Sequence, residues 1–167
     1  MSYLFEAVAK LLPRYPDLQL LMVGKIREGG EAEALIEKLG LHNHIATASG
    51  ISTEQLVRYY NEAEVAVVPS VYEGFGLPAG EAMACGTALV SATGGALPEV
   101  TGDAALQVPV RDAQALADGI DALLSNAEQR RALEVAGRER MEELFCWSRA
   151  AQQMLDYYEQ VLRSENG

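Results

Sequence analysis

The stretch "VAVVPSVYEGFGLPAGEAMACG", residues 65–86, decides the fold. It opens on four small or β-branched apolar residues that end at Pro69, bends through Gly74 and Gly76, and runs into the helix-forming segment "LPAGEAMA". A strand, a glycine bend and a helix in that order form half of a β-α-β unit. The bend holds Glu73, and the helix holds Glu81 eight positions further on.

The same alternation continues on both sides. Upstream, "LQLLMVG" at 18–24 is a nearly continuous apolar run closed by glycine, the pattern of a parallel strand covered on both faces. "HIATAS" at 44–49, "TALVSA" at 87–92 and "AALQVP" at 104–109 bring the expected strands to five. Between them lie helical segments. Residues 3–12 repeat Leu4, Val8, Leu11 and Leu12 at helical spacing until Pro13 and Pro16, a helix at 31–39 ends at Gly40, and Ser52 or Thr53 is placed to cap "EQLVRYYNEA". Beyond Asp112 the strands cease and three helices follow. This order predicts a Rossmann-like, doubly wound parallel α/β sheet in a single domain over residues 1–167.

The totals narrow the function classes. A formal charge of −11 on 167 residues excludes a broadly basic surface for nucleic acid or anionic membrane, and no apolar run is long enough to span a bilayer. The cytoplasm is the expected location. Cys85 and Cys146 lack metal-ligand or disulfide-framework spacing and read as reduced thiols. His42 and His44 have no third ligand nearby and read as turn and strand residues; no metal is expected. Tyr59, Tyr60, Tyr157 and Tyr158 read as packing residues with solvent-reaching hydroxyls.

In an open α/β sheet, ligands collect beyond the carboxyl ends of the strands, where residues 69–76 lie. Gly74 and Gly76 free backbone N–H groups to face a ligand, and the start of the following helix attracts anions without a lysine. Glu81, expected in the first turn of that helix, can complement the helix dipole or accept hydrogen bonds from a pair of neighbouring hydroxyls such as a ribose offers. Glu73 reads either as a solvated loop residue or as its partner. The second glycine turn, "TGGALPEV" at 93–100, brings Gly94 and Gly95 to the same edge, where two adjacent bends make a nest for a diphosphate.

Taken together, "PSVYEGFGLPAGEAMACGT", "GGALPEV", "GDAALQV", "DAQALADGIDALL" and "FCW" strongly resemble the carboxy-terminal half of retaining glycosyltransferases of family 4, which have the GT-B fold. The likeness covers nearly the whole chain and includes the Glu-x7-Glu signature, Glu73 to Glu81. The resemblance implies a domain that binds a UDP-sugar or GDP-sugar donor, with no further cofactor, for hexose transfer to an acceptor hydroxyl. By the same resemblance Glu81 binds the ribose and Glu73 contacts the transferred sugar. Backbone N–H groups near Gly76 and Leu77 then hold the diphosphate, Gly74 and Phe75 belong to the same substrate-binding bend, and Ser49, Gly50 and Ile51 meet the base. No nucleophile is assigned, since the family's retention is usually drawn as front-face substitution.

In the family the donor half opens with a strand ending in Gly-Arg, followed by Lys-Gly, whose basic side chains grip the phosphates. Residues 1–9 correspond to the next helix, so Lys25 and Arg27 are the nearest basic candidates. The first strand of such a sheet lies centrally, so a gap is expected between "LQLLMVG" and "VAVVPS". Three outcomes follow: the strands close up, a neighbouring chain donates a strand, or the fold is marginal. The implied partners are the nucleotide-sugar donor, an amino-terminal acceptor domain, and a second copy through the unpaired sheet or the last helix. That helix carries an apolar stripe, Met154, Tyr157, Tyr158, Val161 and Leu162, which either packs on its own domain or awaits the acceptor half. Transfer by this chain alone is not expected. The alternatives are a non-catalytic nucleotide-binding or assembly module and, less favoured by the Glu-x7-Glu context, a nucleotide-sugar epimerase relative.

Overall fold

The computed structural model describes residues 2–165. Five strands alternate with helices in the expected order: α1 (Ser2–Leu11), β1 (Leu20–Val23), α2 (Glu31–Lys38), β2 (Ile45–Ala48), α3 (Thr53–Glu62), β3 (Ala66–Val68), α4 (Leu77–Ala84), β4 (Leu89–Ala92), α5 (Leu97–Thr101), β5 (Leu106–Val108), α6 (Ala113–Ser125), α7 (Ala127–Leu144) and α8 (Trp147–Glu165). All strand pairs are parallel, as buried apolar runs joined by helices require.

The α/β class is as read, but the sheet is divided. β1 pairs with β2 in one sheet, while β3, β4 and β5 form a second in that order. The expectation that the flanking strands might close up is corrected: β1 and β3 are not paired. An open groove runs between them, lined by Leu20–Val23 on one side and by Val65, Val67 and Pro69 on the other.

β4 is the most deeply enclosed strand, buried at all four positions. Alternation sends its side chains to two cores. On one face Val90 belongs to a core that includes Leu4, Phe5 and Val8 of α1 and Leu116, Ile120 and Leu123 of α6. On the other, Leu89 belongs to a core with Ala79, Ala82 and Met83 of α4, Leu97 and Met141. Covering both faces of one sheet is the doubly wound arrangement. The β1–β2 side is less protected. Leu21 and Val23 are exposed, and α3 buries none of its residues although Ser52 and Gln55 form a full capping box at its start.

Two local anchors hold the late helices. Arg140 of α7 donates from Nε to Val100 O at 2.8 Å and from Nη2 to Glu99 O at 2.7 Å, placing a cation at the α5 carbonyl end. Asp112 caps α6 by accepting from the amides of Gln114 and Ala115, each at 2.9 Å. In α8, Met154, Tyr157 and Tyr158 of the expected stripe are each more than half exposed.

Gly80 sits within α4 at ordinary helical φ, and a methyl group there would meet only Met141 Sδ at 3.5 Å, an ordinary contact. Gly80→Ala is therefore expected to stabilise the fold by about 0.5–1 kcal/mol through helix propensity. A rise in the urea midpoint would show it; a fall would mean that the helix geometry is not the one described.

Candidate functional site

The bend between β3 and α4 has an unusual helix start. Gly76, the N-cap residue, lies in the left-handed region at φ 87°, and no side chain caps the helix. The amides of Ala79 and Gly80 bond back to Gly76 O at 3.0 Å each, and Pro78 has no N–H. This leaves the Leu77 amide, with those of the preceding bend, at an uncapped positive helix end suited to an anion. Phe75 and Leu77 are about 60% exposed, so the approach is open.

Glu81 is the fifth residue of α4 and so lies in its second turn, not the first. The dipole-complementing role expected there is correspondingly weak, because the effect fades beyond the first turn. Its exposed carboxylate instead meets a residue that the sequence reading treated as packing. Tyr60 from α3 places its hydroxyl 3.3 Å from Pro78 O and 3.5 Å from Glu81 Oε2. With a single proton, the phenol serves one acceptor at a time. Burial, followed by the charges of Glu81 and Cys85 and the bond to Glu81, pushes the Tyr60 pKa up to about 12.

The folded chain thus holds this proton more tightly than a free tyrosine at 10.0, so the unfolded chain ionises first and stability falls as pH rises from about 10 to about 12. In a phenolate absorbance titration, one of the seven tyrosines should titrate near 12. Glu81→Gln should lower that midpoint without returning it to the ordinary value, because burial is the larger cause. An unchanged midpoint would separate Tyr60 from Glu81.

A cavity of about 410 Å3 opens along the outer face of α4, lined by Phe75, Gly76, Leu77 and Glu81 together with Arg138 and Met141 of α7. Glu73 is not part of this lining. It is half-buried in the loop, and its backbone carbonyl accepts the Ala96 N–H at 2.9 Å. That bond joins the two glycine turns. A Cβ at Gly94 would lie 2.3 Å from Ser70 O, and one at Gly95 would lie 2.3 Å from Glu73 O. The pair Gly94–Gly95 therefore has a packing role that the sequence did not reveal: it lets the turn after β4 nest against the bend after β3.

The remaining predicted residues occupy loops at strand ends. Ser49 and Gly50 are exposed and Ile51 is half-buried in the turn after β2; Lys25 and Arg27 are exposed in the loop after β1. Neither basic residue reaches the Gly76–Glu81 start through any described hydrogen bond or ion pair. His44, in the turn just before β2, has Nδ1 2.9 Å from Leu18 O, a structural clamp beside β1. Cys85 and Cys146 are both free thiols. Burial chiefly raises the Cys85 pKa. Cys146, at the start of α8, is lowered, first by its hydrogen bond with Ser148. No helix among the described residues is long and apolar enough to cross a membrane.

Parallel strands wound with helices on both faces make a Rossmann-like α/β domain, and solved structures place this fold with the carboxy-terminal domains of GT-B proteins. Sucrose-phosphate synthase from Thermosynechococcus elongatus matches 96% of this chain and 43% of its own at a TM-score of 0.80 and 35% identity. HepE from Anabaena, solved with UDP, matches 95% and 44% at a TM-score of 0.82 and 21% identity, a likeness of fold. The chain belongs to the family of glycosyl transferases group 1, whose model matches residues 1–140. Among curated relatives, the MMP alpha-(1->4)-mannosyltransferase of Mycolicibacterium hassiacum is 41% identical over 165 residues. The chain spans about 40% of that relative's length.

Proposed function

We propose that this chain is the donor-binding domain of a retaining, family 4-like glycosyltransferase that moves a hexose from a nucleoside-diphosphate sugar to an acceptor hydroxyl. The observation that carries the reading is the uncapped start of α4 at Gly76 with the exposed Glu81 carboxylate one turn beyond it. A diphosphate placed at the helix start leaves a ribose within reach of an acceptor-only carboxylate. Glu73, in the loop before it, contacts the transferred sugar, and Ser49, Gly50 and Ile51 face the base. Lys25 supplies a supplementary charge near the phosphates.

In this reading the helix start stabilises the nucleoside diphosphate as it leaves, which is electrostatic catalysis and calls for no metal. The relative named a mannosyltransferase and the neighbour solved with UDP support a sugar nucleotide as the ligand class. Both are longer than this chain, and the exposed face of α8 supports an acceptor domain as the natural neighbour.

The test is to add a separately expressed acceptor domain from a related enzyme together with a UDP-hexose or GDP-hexose. The product anomer is then read by proton NMR. Transfer with the donor's anomeric configuration kept supports the proposal; inversion overturns the retaining assignment. Nucleotide binding without transfer, whatever acceptor domain is supplied, favours the alternative, a non-catalytic nucleotide-binding module.

A further inference from the structure

Tyr60 of α3 is joined to α4 at both of that helix's ends. Near the start of α4 its hydroxyl lies 3.3 Å from Pro78 O and 3.5 Å from Glu81 Oε2. Just past the end of α4, the buried Thr87 hydroxyl donates to Tyr60 O at 2.7 Å. The Tyr60 ring packs against the core that includes Ala79, Ala82 and Met83. Anchored by its carbonyl and its ring, this half-buried side chain has little freedom to carry its hydroxyl elsewhere.

Glu81 is the opposite case: a long, exposed side chain whose carboxylate is reached, among the described residues, by no other hydrogen bond or ion pair. A glutamate free to turn loses rotamer freedom when it grips a ligand. Holding one of its oxygens beforehand lowers that cost, which is preorganisation. The two oxygens are also unequal. Oε2 faces the phenol, whereas Oε1 has no described partner and is open to a ligand's hydroxyl groups. Pro78 O is the nearer acceptor for the phenol proton, but an ionised carboxylate is the stronger one, and rotation of the hydroxyl moves the proton between them. With its pKa pushed up to about 12, chiefly by burial, the phenol stays a donor throughout the neutral range.

Given Glu81 as the ribose contact, a reading on which this role rests, we propose that Tyr60 is a positioning residue for recognition of the nucleotide's ribose. Its hydroxyl fixes Glu81 Oε2 and so aims Oε1 at the neighbouring hydroxyls of the sugar. Tyr60 does not touch the nucleotide. It sharpens the discrimination between a ribose and a sugar lacking those hydroxyls, and it leaves the contacts to the diphosphate as they are.

The test is calorimetry on the full chain with UDP and GDP, each beside its dideoxyribose analogue, which lacks both neighbouring hydroxyls; the base that binds more tightly is carried forward. Wild type should prefer the ribose form. Tyr60→Phe keeps the ring packing, and it should bind the ribose form about three- to tenfold more weakly while its affinity for the dideoxyribose form is unchanged. In Glu81→Ala, adding Tyr60→Phe should cause no further loss, because Tyr60 acts through Glu81. Equal losses for both forms in Tyr60→Phe would reduce the residue to a packing role and overturn the proposal. Unchanged affinity for both forms, or additive losses in the double variant, would overturn it as well. The donor-binding reading fails by a different sign: a wild-type chain that binds neither nucleotide, or binds ribose and dideoxyribose forms alike, would overturn the ribose contact and the role of Tyr60 together.

Discussion

Glu81→Ala is expected to weaken UDP binding by roughly ten- to a hundredfold, since a hydrogen bond to a charged group contributes about 1.5–3 kcal/mol and each 1.4 kcal/mol is a factor of ten. The fold should survive, because Glu81 is exposed and alanine favours the helix. Calorimetry on both proteins reads the effect. Glu73→Gln supplies the contrast: if Glu73 touches only the sugar, UDP affinity stays and the additional affinity for a UDP-hexose falls. Equal UDP heats for wild type and Glu81→Ala would remove the ribose role.

Gly95→Ala is expected to destabilise the chain by about 2–4 kcal/mol, combining left-handed backbone strain with a steric conflict that cannot relax cheaply. Gly95 has φ +60°, and its added Cβ would lie 2.3 Å from Glu73 O and 2.8 Å from Glu73 N, both backbone atoms. Gly40 isolates the steric part. It has φ +69° with nothing within 4 Å of an added Cβ, so Gly40→Ala should cost only the backbone strain, about 1–2 kcal/mol. Urea unfolding of the two variants measures the difference. Similar losses in both would mean that the turn after β4 does not nest against the Glu73 loop.

Much of this architecture was legible because its signals are local. The apolar runs at 18–24 and 65–70 and the glycines after each strand announce parallel strands without reference to any distant residue. The position of the gap was also legible, from the family resemblance and the strand order it implies; whether it closes was not, because closure depends on tertiary packing that no local pattern carries. The site was read less completely. Glu81 was placed one turn early, since the helix begins at Leu77 and its glycine N-cap carries no side-chain signal. Tyr60 and Glu81 lie 21 residues apart, and nothing in either local pattern announces their contact. The same holds for Gly94 and Gly95, whose close approach to residues 70–73 exists only once two neighbouring strands have placed their loops side by side.

The most direct measurement of the central claim is a nitrogen–proton correlation spectrum of the chain titrated with UDP. The account predicts concerted, saturable shifts of the Gly76 and Leu77 amides, with a smaller response at Gly50 and Ile51, and loss of this pattern in Glu81→Ala. Saturable shifts that leave Gly76 and Leu77 unmoved would contradict it.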